Sequence, residues 1–175
     1  IWYREDGRIK REENYRSGAK DGQFVEYYES GQKESEKSYK NGQLEGNFVA
    51  YYKNGTTWWE ANYRDDQWDG KAIWYYEDGK IWWEENYKSG KKDGQFVEYY
   101  ESGQIELQGN FKDGNPEGEQ TSYYQSGQIK NQGTYKYNRK KDMWIEYYEN
   151  GQIKEEGRYD YWTWDDKGNI PYQDY

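Results

Sequence analysis

The sequence predicts an all-β chain built as an open, single-layer antiparallel array of β-hairpins, a β-solenoid or meander of about seven 24-residue units. Three observations carry that prediction. Anchoring on the glycine that follows the pair Tyr27–Tyr28 gives Gly7, Gly31, Gly55, Gly79, Gly103, Gly127 and Gly151, each 24 residues after the last; a fixed period of roughly 20 to 50 residues is the signature of a repeat architecture. Residues 14–32, NYRSGAKDGQFVEYYESGQ, return at 86–104 with 17 of 19 positions identical, as if a three-unit block had been duplicated. Hydrophobic residues make up 32% of the chain and charged residues 34%, yet aromatics reach 21% and recur in register, which sets the chain apart from disordered segments.

Each unit carries a turn that ends in its anchor glycine: Asp6-Gly7, Ser30-Gly31, Asn54-Gly55, Asp78-Gly79, Ser102-Gly103, Ser126-Gly127 and Asn150-Gly151. Asn-Gly and Asp-Gly between alternating runs predict two-residue type I′ hairpins, whose central residues both need positive φ. That register sets Glu29 opposite Gln32, Tyr28 opposite Lys33 and Tyr27 opposite Glu34. A longer glycine-rich connection, such as SGAKDG from Ser17 to Gly22, then leads to the next strand.

Side chains alternate between faces along a strand. One face therefore collects Phe24, Tyr28, Ile9 and Tyr15, and in the fourth unit Phe96, Tyr100, Ile81, Trp83 and Tyr87; the other collects Val25 and Tyr27, or Val97 and Tyr99, among Lys, Glu and Asn. Neither face is apolar enough for a closed sandwich, so hairpins laid side by side bury their aromatics against their neighbours, a nearly one-dimensional solenoid. Strands ~4.8 Å apart put equivalent residues about 10 Å apart and make a rod on the order of 70 Å long. The fifth unit has Gln120 and Thr121 where others place Phe and Val, so it should open locally at lower free energy.

Residues 1–175 read as one repeat domain. The opening IWYREDG enters a hairpin with no cap, whereas residues 158–175, with Trp162, Trp164 and Pro171, form a divergent unit or cap, since proline confines a strand to an edge or its start. An uncapped edge meeting the last strand of another copy would assemble head to tail.

The run GQFVEYYESGQ, then Tyr39-Lys40-Asn41-Gly42, then Gly46, resembles the bacterial variant of the MORN repeat, in which YYxxG is followed by GxYxxG and another glycine. The interior glycine of that pattern stands at Gly109, Gly133 and Gly157, while earlier units put Glu13, Lys37, Ala61 and Glu85 there. The resemblance implies an elongated hairpin array that serves as a scaffold or adhesive surface and not as a catalyst.

The residues themselves point the same way. With no His and no Cys in the chain, a Ser-His-Asp triad, thiolate chemistry and imidazole metal sites are excluded. The carboxylate pairs Glu12-Glu13, Glu84-Glu85, Asp65-Asp66 and Asp165-Asp166 are sequence neighbours, which on a strand point to opposite faces. No metal or other cofactor is expected, because the carboxylates lack the spacing of a calcium loop. A net charge of -9 disfavours nucleic acid, and the cluster Lys136, Arg139, Lys140 and Lys141 reads as a solvated turn. No run approaches the ~18 apolar residues that would predict membrane insertion.

The candidate binding residues are Trp58, Trp59, Trp74, Trp82 and Trp83, with Tyr75, Tyr76, Tyr99 and Tyr100. Trp58 and Trp82 lie one period apart, as do Trp59 and Trp83, so the pairs are expected to form rows on opposite faces. The leading expectation is a non-enzymatic structural or adhesive scaffold for protein–protein contact, self or other, that assembles head to tail into a filament outside the cell, secreted or on its surface. The alternative is a carbohydrate or cell-wall-binding module, in which rows of indole hold the flat faces of a glycan.

Overall fold

The computed structural model describes residues 1–159; the divergent unit from Asp160 onward, with Trp162, Trp164 and Pro171, lies outside them. Fifteen strands form one antiparallel sheet in which each hairpin lies beside the next in chain order, from Trp2–Tyr3 to Ile153–Tyr159. Tyr15–Arg16 and Ala19–Lys20 pair as a separate ribbon. The sheet does not close on itself, and the described residues contain no helix.

The two kinds of turn exchange the roles that the sequence reading assigns them. At the YYxxG tips, Gly31 N–H donates to the Tyr28 carbonyl at 3.0 Å and Tyr28 N–H to the Gln32 carbonyl at 2.8 Å. Of Ser30 and Gly31, only the glycine has positive φ, at 89°. This is a type I turn closed by a left-handed residue and a bulge, which asks for one glycine where a type I′ turn asks for two permissive residues. The register moves accordingly: Tyr27 pairs with Lys33 and Glu26 with Ser35, not Tyr27 with Glu34. The type I′ turns sit at the opposite ends, where Asn41 and Gly42 have φ of 51° and 91° and Lys40 pairs with Gln43. Ser17-Gly18 is such a turn too, so the predicted long connection is a tight reversal followed at once by strand.

With no second layer, neighbouring hairpins hold one another. The second tyrosine of each tip donates its hydroxyl forward to a main-chain carbonyl of the next hairpin: Tyr28 to Tyr51, Tyr52 to Tyr75, Tyr76 to Tyr99, Tyr100 to Tyr123 and Tyr124 to Tyr147, at 2.5 to 2.9 Å. In the first unit Arg4 occupies that place and donates to the Tyr27 carbonyl. The first tyrosine reaches back: Tyr27 donates to Glu12, Tyr51 to Glu36 and Tyr75 to Glu60. Two later units carry glutamine there, and the bond reverses, Gln108 and Gln132 amides donating to the Tyr123 and Tyr147 hydroxyls. At the other margin Asp21, Glu45, Asp69, Asp93 and Glu117 accept main-chain N–H groups of the following type I′ turn.

One face alternates Val25, Glu36, Val49, Glu60, Ile73, Glu84 and Val97 as successive cross-strand partners, roofed by the backward-reaching tyrosines. The other holds the aromatic spine. Phe24 packs edge-on to Tyr15 and Tyr39, and Phe96 tilts against Phe111 at 4.8 Å. The interior glycines belong to this spine: a Cβ on Gly109 would stand 2.9 Å from the Phe96 ring, and on Gly133 2.3 Å from Trp144. The spine breaks at the fifth hairpin, where the strand divides into Asn115–Pro116 and Gly118–Tyr123 and Gln120 faces Gly133.

Three outcomes follow from this packing. Amides of Gly118–Tyr123 exchange faster than those of Lys91–Tyr99; equal rates by hydrogen exchange would contradict the spine as the source of local stability. Gly133→Ala costs about 1–3 kcal/mol through overpacking against Trp144, read by chemical denaturation. The third concerns pH. Lys33 and Tyr51 hold Glu36 below its ordinary 4.5, and Lys37 does the same for Glu26. That stabilisation is present above 4.5 and lost as pH falls through the depressed values. Burial, then Glu12, Glu36 and Glu60, push the Tyr27, Tyr51 and Tyr75 phenols up from 10.0, so their contribution is lost as pH rises through the raised values. Glu36→Gln therefore lowers Tm at neutral pH, and the gap to the parent narrows once pH falls below 4.5 and closes as it passes through the depressed value.

Candidate functional site

The tryptophans of the third and fourth units meet on the spine face. Ala50, Trp59, Trp74, Trp83, Glu98 and Leu107 are consecutive cross-strand partners, so their side chains form one row across six strands. The neighbouring row on that face runs Phe48, Ala61, Ala72, Glu85, Phe96 and Gly109. Where other units place Phe, the third has Ala72, fully buried at 0% exposure beside Ala61 at 2%. Those two small side chains make a floor for indole. Trp59 stacks on Phe48 at 4.6 Å and on Trp74 at 6.5 Å. Trp68 stands 5.7 Å from both Trp59 and Trp74 and donates its indole N–H to the Tyr63 hydroxyl.

Glu85 lies against this patch, 3% exposed. Lys92 pairs with it at 2.7 Å and Tyr87 donates its hydroxyl to it. Burial first, and then Glu85, push the Tyr87 phenol up. The Lys92 ammonium also lies 5.7 Å from the Trp83 ring and 5.0 Å from Phe111. A buried carboxylate persists only when paired in this way.

Trp58 and Trp82 sit apart from that row. Tyr51 pairs with Thr57 while Ala50 pairs with Trp59, which leaves Trp58 as the extra residue of a bulge; the same shift between Ile81 and Trp83 frees Trp82. They are 46% and 41% exposed, and each ring stands 6.2 Å from a tip tyrosine, Tyr52 and Tyr76. Glu98, beside Trp82, has its carboxyl pushed up by burial and by Glu106, against an indole hydrogen bond from Trp82.

Of the residues predicted from sequence, Trp59, Trp74 and Trp83 come together, and Trp58 and Trp82 occupy equivalent bulges. In the Trp59–Trp83 row the rings follow at a shorter step than the expected ~10 Å, because Trp74 fills the intervening strand. Tyr75 turns to the Val–Glu face with its hydroxyl on Glu60, while Tyr76 and Tyr100 spend theirs on the next hairpin's backbone. Tyr99 is pushed up by burial and by Glu84, also of that face. Trp68 and Tyr87, absent from the predicted set, complete the patch; their signal is the pairing across the type I′ turns, which the assumed turn geometry hid. Glu84 binds Lys71 and Glu85 binds Lys92, so these adjacent carboxylates diverge. Among the described residues no three His, Cys, Asp or Glu are grouped to hold a metal ion, and no helix is long and apolar enough to cross a membrane.

The MORN repeat variant matches residues 20–41, 68–89, 92–113, 116–137 and 143–161. The matches at 20–41, 68–89, 92–113 and 116–137 each run from one type I′ turn across a glycine tip to the next. No curated protein matches the chain. Matched over more than half its length and folded as a continuous hairpin array, the chain belongs to the MORN repeat variant family.

Proposed function

We propose that this repeat scaffold docks a partner protein on the tryptophan-rich face of its third and fourth hairpins. One observation carries the reading: Trp59, Trp74 and Trp83 are direct neighbours on an open sheet, with Trp68 packed among them. Trp and Tyr dominate the energetics of protein interfaces, and with the buried Glu85 already paired to Lys92 the stacked rings suit the apolar centre of such a contact. The partner class includes a second copy of the chain joined head to tail in an extracellular filament. Among the described residues, Trp2–Tyr3 and Ile153–Tyr159 are the outermost strands of the sheet, and unpaired strand edges invite pairing.

A second reading rests on a different observation. Trp58 and Trp82 repeat one environment, an exposed ring beside a tip tyrosine, at a step of about 10 Å. Equivalent platforms at a fixed step suit a glycan with repeating rings.

The double variant Trp58→Ala/Trp82→Ala and the variant Trp74→Ala separate these readings. Protein docking predicts that Trp74→Ala abolishes capture of a partner identified by cross-linking, whereas a partner retained equally by both variants would sink it. Glycan docking predicts that quenching of tryptophan fluorescence by soluble polysaccharide is lost in the double variant alone. Self-assembly predicts sedimentation that rises with protein concentration in the parent; a monomer at every concentration removes it.

A further inference from the structure

The break in the aromatic spine leaves a groove of about 350 Å³ between the fifth and last described hairpins, away from the tryptophan patch. Its walls are Trp144, with Tyr135 edge-on at 5.0 Å, and Tyr159; Gln120, Asn131 and Glu155 also line it. The unit-to-unit comparison shows how it arises. Position 120 is Phe24, Phe48 and Phe96 in other units, and position 131 is Trp59, Trp83 and Leu107. Here both are amides, side by side on the spine face, since Gln120 pairs with Gly133 and Ser122 with Asn131. Among the described residues neither amide has a hydrogen-bond partner, and the Ser122 hydroxyl is buried without one.

Both amides stand half-exposed along the groove, where their donors and acceptors are open to an occupant, and an occupant that bonds to them is favoured over one that leaves them dry. An apolar side chain would seal the amides in dry surroundings. A charged ligand would meet both signs: Lys140 lies 4.3 Å from the Trp144 ring and 5.3 Å from Tyr159, while Glu146, paired with Lys154 at 2.7 Å, and Glu155 stand opposite. A neutral ring that both donates and accepts through hydroxyls, and has an apolar C–H face for Trp144 and Tyr159, meets all these demands. Pockets of ~300 Å³ and above, with aromatic walls and a few convergent polar groups, are the usual form of a small-ligand site.

We propose that this groove binds one neutral sugar ring of a glycan, held by Gln120 and Asn131 against Trp144 and Tyr159. The test titrates the full ¹⁵N-labelled chain with the hexamers of N-acetylglucosamine and of glucose and follows the side-chain amide signals of Gln120 and Asn131. One of the two sugars shifts both signals. Asn131→Leu, which installs the residue of the equivalent position Leu107, and Gln120→Ala each weaken binding by about tenfold with Tm unchanged. Loss of folding in one variant leaves the other to decide. The proposal falls if neither sugar shifts these amides at concentrations on the order of 10 mM, if both variants bind like the parent, or if a capped Phe-Leu dipeptide shifts them where the sugars do not. Shifts confined to Trp58 and Trp82 overturn it too, while supporting the glycan reading of the tryptophan bulges.

Discussion

A tyrosine hydroxyl that donates to a main-chain carbonyl 23 residues further on is the contact on which this array depends. A single-layer sheet has no opposing layer to supply cohesion, so each hairpin must be fixed to the next by groups within the sheet itself. The hydroxyl does so at the tip, where the ladder has ended and the turn carbonyls would otherwise face water. Tyrosine suits the place because its ring covers apolar area while its end carries a donor. The first unit shows that the donor is what matters: Arg4 stands where the other units have tyrosine and reaches the Tyr27 carbonyl.

The same logic explains a composition that is poor in aliphatic residues and rich in charge. On the Val–Glu face Glu12, Glu36 and Glu60 each accept from a tyrosine one hairpin on, and at the type I′ margin an acidic side chain receives the turn N–H of the following unit. These bonds are half-exposed and individually modest, but they recur along the array, and in a solenoid stability is a sum over neighbouring interfaces. Where a unit departs, its neighbour adjusts: Gln108 and Gln132 reverse the bond to tyrosine, and Ala72 gives up a phenyl ring so that Trp59, Trp68 and Trp74 can close over it. The two functional surfaces proposed are thus departures of opposite sense, one with more ring than the repeat needs and one with less.

How much of the site was legible depended on how local its cause was. Trp59 and Trp83 were found because a 24-residue period puts them in equivalent places. Trp68 belongs to the same sequence cluster but stays outside the predicted binding set, because its place beside them depends on the pairing of Tyr63 with Trp68 across Asp65-Asp66, a turn that lacks glycine altogether. Tyr75, Tyr76, Tyr99 and Tyr100 were assigned to ligand binding because they recur beside the tryptophans; at least three of them are occupied in joining hairpins. A repeated aromatic motif has the same appearance whether it faces a ligand or the next repeat.

The sequence by itself determined the strand class, the period and the place of every glycine tip, since alternation along a strand and positive φ at a glycine are properties of a few adjacent residues. The tertiary structure alone decided which turns are type I′ and which carry the bulge, and with that the register of each hairpin. A bulge shifts pairing by one residue and so turns side chains from one face toward the other. That shift is why Trp58 and Trp82 stand exposed beside Tyr52 and Tyr76 while Trp59, Trp74 and Trp83 share a row. It also decided the burial of Glu85 against Lys92 and the amide groove at Gln120 and Asn131, because both are made by strands brought together from different parts of the chain, whose contacts no short stretch of sequence contains.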